Sequence, residues 1–199
     1  MKVHVFVEGG GDQKRTKTAC RKAFRTFFEK ALGADCPKPG ISACGGRDST
    51  YRDFCHQVDQ DPETFAVLLV DSEGAVREGR TAWEHLQWPC PTAAVDDQAH
   101  LMVQCMEAWF LADRAALAAY YGLEFRDAAL PGHTNPEDSP KRDLMDGLGR
   151  ATVATRKGEY HKTRHGFEIL ERIDPALVRA RCPHAEALLS TLAARLSVS

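Results

Sequence analysis

The sequence predicts an α/β fold: a mainly parallel sheet with helices on both faces, followed by a helical C-terminal extension. Three observations carry that expectation. Val3, Val5 and Val7 alternate with other residues, Glu8-Gly9-Gly10-Gly11 then interrupts them, and a helix-period pattern begins; this is the strand, turn and helix order of an α/β unit. Phe65 to Val70 is an unbroken apolar run, as expected of a strand covered on both faces. The last third of the chain has helical periodicity broken by Ser139-Pro140 and Asp174-Pro175, each matching a cap followed by proline at the first helical position.

Taken in order, residues 2–8 are predicted as the first strand. Cys20, Phe24, Phe27, Phe28 and Ala31 recur at helical spacing with basic residues mostly on the other face, so 13–32 reads as an amphipathic helix. Pro37, Pro39 and Gly40 break the chain, and residues 41–44 form a short second strand stopped by Gly45-Gly46. Residues 48–58 look helical, with Asp48 or Ser49 as the cap. The strand over 65–70 ends at Asp71-Ser72-Glu73-Gly74, and a helix follows over 80–87. Leu101 to Met106 reads either as a further strand running into Glu107 or as the start of the helix containing Trp109, Phe110 and Leu111. Asp113 caps the next helical turns, which Gly122 stops. Residues 124–140 are rich in Pro, Gly, Asp and Asn and predict a long loop. Helices are expected over 140–149, 161–172 and 175–196. The chain thus divides into an α/β core at 1–123 and a loop and helical region at 124–199, either packed on the core or appended to it.

The length of 199 residues suits one domain with at most a modest extension. No apolar run approaches the ~20 residues needed to span a bilayer, and no long apolar segment follows Lys2 as it would in a signal peptide. A cytoplasmic protein without membrane contact is expected. The seven cysteines are odd in number and contain no CxxC pair, so a disulfide framework is not expected and most should be small buried hydrophobes. The net charge of −2 does not by itself suggest a polyanionic partner. Its distribution does: Lys14, Arg15, Lys17, Arg21, Lys22 and Arg25 crowd one segment, Lys157, Lys162 and Arg164 with His161 and His165 another, and acidic residues gather between Asp53 and Glu78. Two basic zones around an acidic centre suit a metal-dependent enzyme acting on a polyanion; two solvated helix faces are the alternative.

Ligands of open α/β sheets gather at the carboxyl ends of the strands. Glu8 ends one predicted strand, Asp71 and Glu73 end another, and Glu107 follows a third candidate. Asp71 and Glu73 are two residues apart, so in extended chain they point the same way. That spacing lets two carboxylates share a hard cation such as Mg²⁺ or Mn²⁺, which favours oxygen ligands and removes the mutual repulsion of the pair. Asp12 follows glycines at a helix start, where aspartate is a favoured cap. Gly9-Gly10-Gly11 lacks the Gly-Lys-Ser/Thr ending of a P-loop. Gly45-Gly46-Arg47 is a tight turn that could bring Arg47 to the same edge. His161 and His165 are four apart, without a third ligand nearby, and fit phosphate contact or plain surface better than zinc. Trp83, Trp88 and Trp109 are expected in the core or at an interface.

Val7-Glu8-Gly9, Cys44-Gly45-Gly46-Arg47, Leu69-Val70-Asp71-Ser72-Glu73, the run from Met106 to Asp113 and the run from Lys157 to Lys162 extend over most of the chain. Together they resemble the Toprim domain of topoisomerases, primases and the overcoming-lysogenization-defect (OLD) nucleases, and within it a small family of prokaryotic Toprim-like proteins. The Toprim pattern is a glutamate after the first strand and a later Asp-x-Asp or Asp-x-Glu pair. The resemblance implies a Rossmannoid sheet and a metal site made by Glu8, Asp71 and Glu73, with Glu107 and Asp12 as candidates for a second metal or its waters. It implies that Lys162 supplies positive charge to a phosphate, with Lys141 and Lys157 as alternatives. The implied activity is divalent-metal-dependent cleavage of DNA or RNA phosphodiesters, as an effector of prokaryotic anti-phage defence. Related nucleases are often accompanied by an ABC-type ATPase, and this chain has no Walker motif. The alternative is therefore an ATPase-partnered regulatory or nucleic-acid-binding module with little activity alone. A homodimer is left open.

Overall fold

The structure, a computed structural model, describes residues 2–197. Met1, Val198 and Ser199, at the outer ends of the two predicted regions, lie outside the described residues. Four strands, β1 (Lys2–Glu8), β2 (Gly40–Gly45), β3 (Thr64–Asp71) and β4 (Ala99–Met102), pair in the order β2-β1-β3-β4. Every pairing is parallel, with Val5 opposite Ile41 on one side and Val67 on the other, and Leu69 opposite His100.

Alternation along the strands sorts the core into two faces. Val3, Val5, Val7, Phe65, Val67 and Leu69 point to one side, where they meet Cys20, Phe24, Phe27 and Phe28 of α1 (Lys14–Leu32). Phe6, Ala66, Leu68 and Val70 point to the other, against Phe54 and Val58 of α2 (Arg47–Gln60) and Trp83 of α3 (Ala82–Leu86). A period of two is what the pleat imposes, and it explains why β3 needs an unbroken apolar sequence. Trp109 stacks on Phe27 with ring centroids 5.2 Å apart, which ties α4 (Ala108–Ala112) to α1.

The remaining helices are α5 (Arg114–Tyr121), α6 (Lys141–Thr152), α7 (Phe167–Leu170), α8 (Pro175–Arg181) and α9 (Pro183–Ser197). Leu188, Leu189, Leu192 and Leu196 of α9 join the α1 side of the core, and α9 packs on β4 and β1. Of the C-terminal helices, α9 thus packs on the sheet, while α7 and α8 pack against α1.

Several local expectations are corrected. The ambiguous stretch resolves as a strand only to Met102, followed by turns that lead into α4. Helix α2 begins at Arg47 with Gly46 in the cap position and no side-chain cap, so Asp48 sits inside the first turn, where its charge suits the helix dipole. Pro140, not Ser139, occupies the cap position of α6. The helix expected over 161–172 opens as a π-type turn, Lys162–Gly166, before α7; such turns commonly mark functional sites. The helix expected over 175–196 is broken at Cys182 because Pro183 cannot continue it. Asp113 and Asp174 cap α5 and α8 as expected, accepting from Ala116 N and Ala176 N.

Candidate metal centre

Strand order fixes where a site can form. The chain leaves β1 towards β2 on one side and continues from β3 to β4 on the other, so the crevice lies beyond the carboxyl ends of β1 and β3. Glu8 and Asp71 are the last residues of those strands. The Asp71 N–H donates to Glu8 Oε2 at 3.1 Å, fixing one carboxylate against the backbone of the other.

Glu8, Asp71 and Glu73 each offer one oxygen, and these oxygens all lie within 4.8 Å of one another. Glu73 arrives differently from the extended-chain expectation. Its backbone is left-handed, at φ 63°, because the Ser72 hydroxyl donates to Gly74 O and closes a tight turn. A non-glycine residue held there costs on the order of 1 kcal/mol. The turn is tied to the chain beyond β4, where Met102 O accepts from Ser72 N and Gln104 O from Glu73 N.

The three carboxylates sit in graded surroundings. Asp71 is almost wholly buried, Glu8 mostly so, and Glu73 about half exposed. Burial, and then the Asp71 charge, hold the Glu8 carboxyl above its ordinary value, against the Asp71 N–H, Arg47 and Lys162. Burial raises Asp71 as well, opposed chiefly by Lys162. Asp71 Oδ1 accepts from Met106 N at 2.9 Å, and Oδ2 from Lys162 Nζ at 3.0 Å. Lys141 Nζ lies 3.8 Å from the same Oδ2 and binds both oxygens of Glu73. Arg47 donates to the Asp71 carbonyl, with its Nε 4.0 Å from Glu8 Oε2. The tight turn at Gly45-Gly46 thus does bring Arg47 to this edge.

Glu107 is fully buried at the start of α4. It stands outside the three-carboxylate group. Tyr160 Oη donates to its Oε1 at 2.8 Å, and its Oε2 has no hydrogen-bond donor but faces Lys162 Nζ at 3.7 Å. Burial acts to lower the Lys162 ammonium, yet Glu107 and Asp71 outweigh it and hold it above its ordinary value. Asp12 is exposed and is neither in the group nor the cap of α1, a position taken by Gln13. His161 and His165 part company: His165 is buried against Tyr121 Oη at 3.1 Å, while His161 is exposed. Lys157 lies 4.3 Å over the Tyr120 ring and Lys22 pairs with Glu171.

A partly open hollow of about 200 Å³ adjoins the carboxylates, walled by Glu8, Asp71, Lys162, Thr163 and the Gly9-Gly10-Gly11 loop. The donor set is all oxygen, which fits a hard divalent cation. Oxygens within 4.8 Å of one another are compatible with one coordination sphere of metal–oxygen bonds near ~2.1–2.5 Å. Glu107 Oε2, without a hydrogen-bond donor among the described residues, adds a carboxylate oxygen 3.7 Å from Lys162 Nζ. Sequence spacing gave no sign of the roles of Tyr160 and Gln104, because each meets its partners only through the fold.

A family model described as a domain of unknown function, DUF4276, matches residues 7–193. No curated protein matches the chain, and no solved structure does.

Proposed function

The chain belongs to the DUF4276 family, a domain of unknown function, and from that premise we propose that it is a divalent-metal-dependent nuclease cleaving nucleic-acid phosphodiester bonds. The observation that carries this reading is the meeting of Glu8, Asp71 and Glu73 within 4.8 Å at the carboxyl edge of two neighbouring strands, with the Lys162 ammonium held 3.0 Å from Asp71.

Glu8, Asp71 and Glu73 are the residues that would hold Mg²⁺ or Mn²⁺. A cation bound there supplies positive charge to a phosphodiester and to the oxygens entering and leaving it. The chain's own groups do the rest. Lys162 and Thr163 line the hollow beside the carboxylates, where an ammonium stabilises a phosphate gaining negative charge. Asp71, buried and with its Oδ1 pinned by Met106 N, is held in one orientation, and its Oδ2 would be shared between a cation and Lys162. Arg47 neutralises part of the charge on Glu8 from the α2 side. Lys14, Arg15 and Lys17 open α1 directly after the glycine loop, in a position to follow a polyanionic backbone.

The test is cleavage of labelled single-stranded DNA, duplex DNA and RNA with and without Mg²⁺ or Mn²⁺. Glu8→Ala and Asp71→Ala should each lower cleavage by at least about a hundredfold while far-UV circular dichroism stays unchanged. Equal cleavage by wild type and both variants overturns the reading.

A further inference from the structure

We propose that Tyr160 is a positioning residue: through Glu107, its hydroxyl holds the Lys162 ammonium at the metal centre. The consequence for turnover rests on the nuclease reading, but the positional claim does not.

Lys162 has a long flexible stem and its side chain is 42% exposed. Its own packing therefore cannot hold the ammonium in one place, and the restraint has to come from the groups the ammonium meets. Two are present, Asp71 Oδ2 at 3.0 Å and Glu107 Oε2 at 3.7 Å. Asp71 is itself fixed by Met106 N. Among the described residues the oxygen or nitrogen donor to Glu107 is Tyr160 Oη at 2.8 Å, with the buried Cys105 thiol as a weak neighbour. The terminal torsion of a glutamate is broad, so one anchored oxygen decides where the other points. Removing the hydroxyl frees that torsion and takes from a buried carboxylate its one short hydrogen bond, leaving the weak Cys105 thiol and the more distant Lys162 ammonium.

The hydroxyl is itself set in place. Tyr160 N donates to Thr152 Oγ1 at 2.7 Å, and the ring packs edge-on to Phe110 with centroids 6.4 Å apart. The opposing chain gives the hydroxyl room: a Cβ at Gly166 would come within 2.9 Å of Tyr160 Oη. A phenylalanine at 160 would need no such clearance at that point. The π-type turn that carries Lys162 also ends at Gly166. One turn therefore presents the lysine and leaves space for the group that orients its partner.

The experiment uses the full chain and Tyr160→Phe, which keeps the ring. Trace acylation with acetic anhydride, read lysine by lysine through peptide mass spectrometry, reports how freely each amine reacts. Lys162 should acylate about tenfold faster in Tyr160→Phe than in wild type, in line with the loss of a group that orients a site residue, while exposed Lys22 keeps its rate. In Mg²⁺-dependent cleavage kcat should fall about tenfold with KM unchanged. Glu107→Gln keeps the shape and the Tyr160 bond but removes the charge, and should also speed Lys162 acylation; it reads the same link if Tyr160→Phe does not fold. Unchanged Lys162 acylation in the folded variants overturns the proposal. Faster acylation with undiminished kcat overturns its bearing on turnover. If wild type cleaves no nucleic acid, the nuclease reading falls and the acylation rates still decide the link.

Discussion

The Lys141 ammonium donates to both carboxylate oxygens of Glu73, at 2.7 and 2.6 Å, and sits 3.8 Å from Asp71 Oδ2. Gln104 sets up this contact from two sides, its Oε1 accepting from Lys141 N and its carbonyl from Glu73 N. A cation bound by the carboxylates must share Glu73 with that lysine. The pair is partly exposed, 30% for Lys141 and 45% for Glu73, so it is worth under about 1 kcal/mol. Lys141→Ala should then tighten Mn²⁺ binding by about two- to fivefold, measured by calorimetry. Weaker binding in the variant would mean that Lys141 props Glu73 in its binding position instead of competing for it.

The glycine loop beside the hollow offers a contrast between neighbours. Gly10 has φ 83°, and a Cβ there would meet Lys17 Cα at 2.7 Å and Lys17 N at 2.9 Å. That is helix backbone, which cannot step aside. Gly11 has φ 52° and nothing within 4 Å of a Cβ, so alanine there carries only the left-handed backbone cost of about 1 kcal/mol. Gly10→Ala should cost at least about 2 kcal/mol in urea unfolding and weaken Mn²⁺ binding. Equal destabilisation of the two variants would show that the loop can shift away from α1.

The site was legible to the extent that it depends on strand ends. Val3, Val5 and Val7 mark β1, the run from Phe65 marks β3, and a parallel sheet gathers the carboxyl ends of both, so Glu8 and Asp71 meet by topology alone. Glu73 belongs to the group for a reason the sequence did not show, a left-handed turn closed by Ser72 and not an extended spacing. Lys162 was identified through resemblance, and its bond to Asp71 spans 91 residues. Glu107 looked like a metal candidate from its place after a strand; its actual neighbours, Tyr160 and Lys162, come from a turn far along the chain. Ser139-Pro140 carried a valid cap signal, yet Ser139 is buried one residue too early to serve. Local signals thus placed elements well and their ends less well, because ends are decided by long-range partners.

Asp113 was predicted as a cap and does more than one. Its Oδ1 accepts from Ala116 N at 3.0 Å in α5, and its Oδ2 from Asp174 N at 2.9 Å at the start of α8. Only 7% of the residue is exposed, so truncation removes a buried acceptor from two part-buried N–H groups. Asp113→Ala should cost about 2–4 kcal/mol in urea unfolding. Asp113→Asn keeps one acceptor and should fall between the alanine variant and wild type. A cost for alanine below about 1 kcal/mol would mean that water replaces the carboxylate at both helix starts.

His100 should make the fold acid-sensitive. It lies in β4 under α9, 9% exposed, with Nε2 3.0 Å from the Asp97 carbonyl. Burial pushes its imidazole down to about 4, against the pull of Asp97, whereas in the unfolded chain it titrates near ~6.5. Between those values the unfolded chain binds more protons than the folded one. The His100 contribution to stability is therefore complete above about pH 6.5 and declines as pH falls, by up to about 1.4 kcal/mol per unit and about 3 kcal/mol in all by pH 4, with the raised Glu8 and Asp71 carboxyls acting the other way. His4 and His165 are lowered by burial as well and add to the same slope. His100→Gln cannot take up that proton, so its urea midpoint should fall less steeply than that of wild type between pH 6.5 and 4.5. Parallel curves for the two proteins would show that His100 takes up its proton in the folded state at little cost.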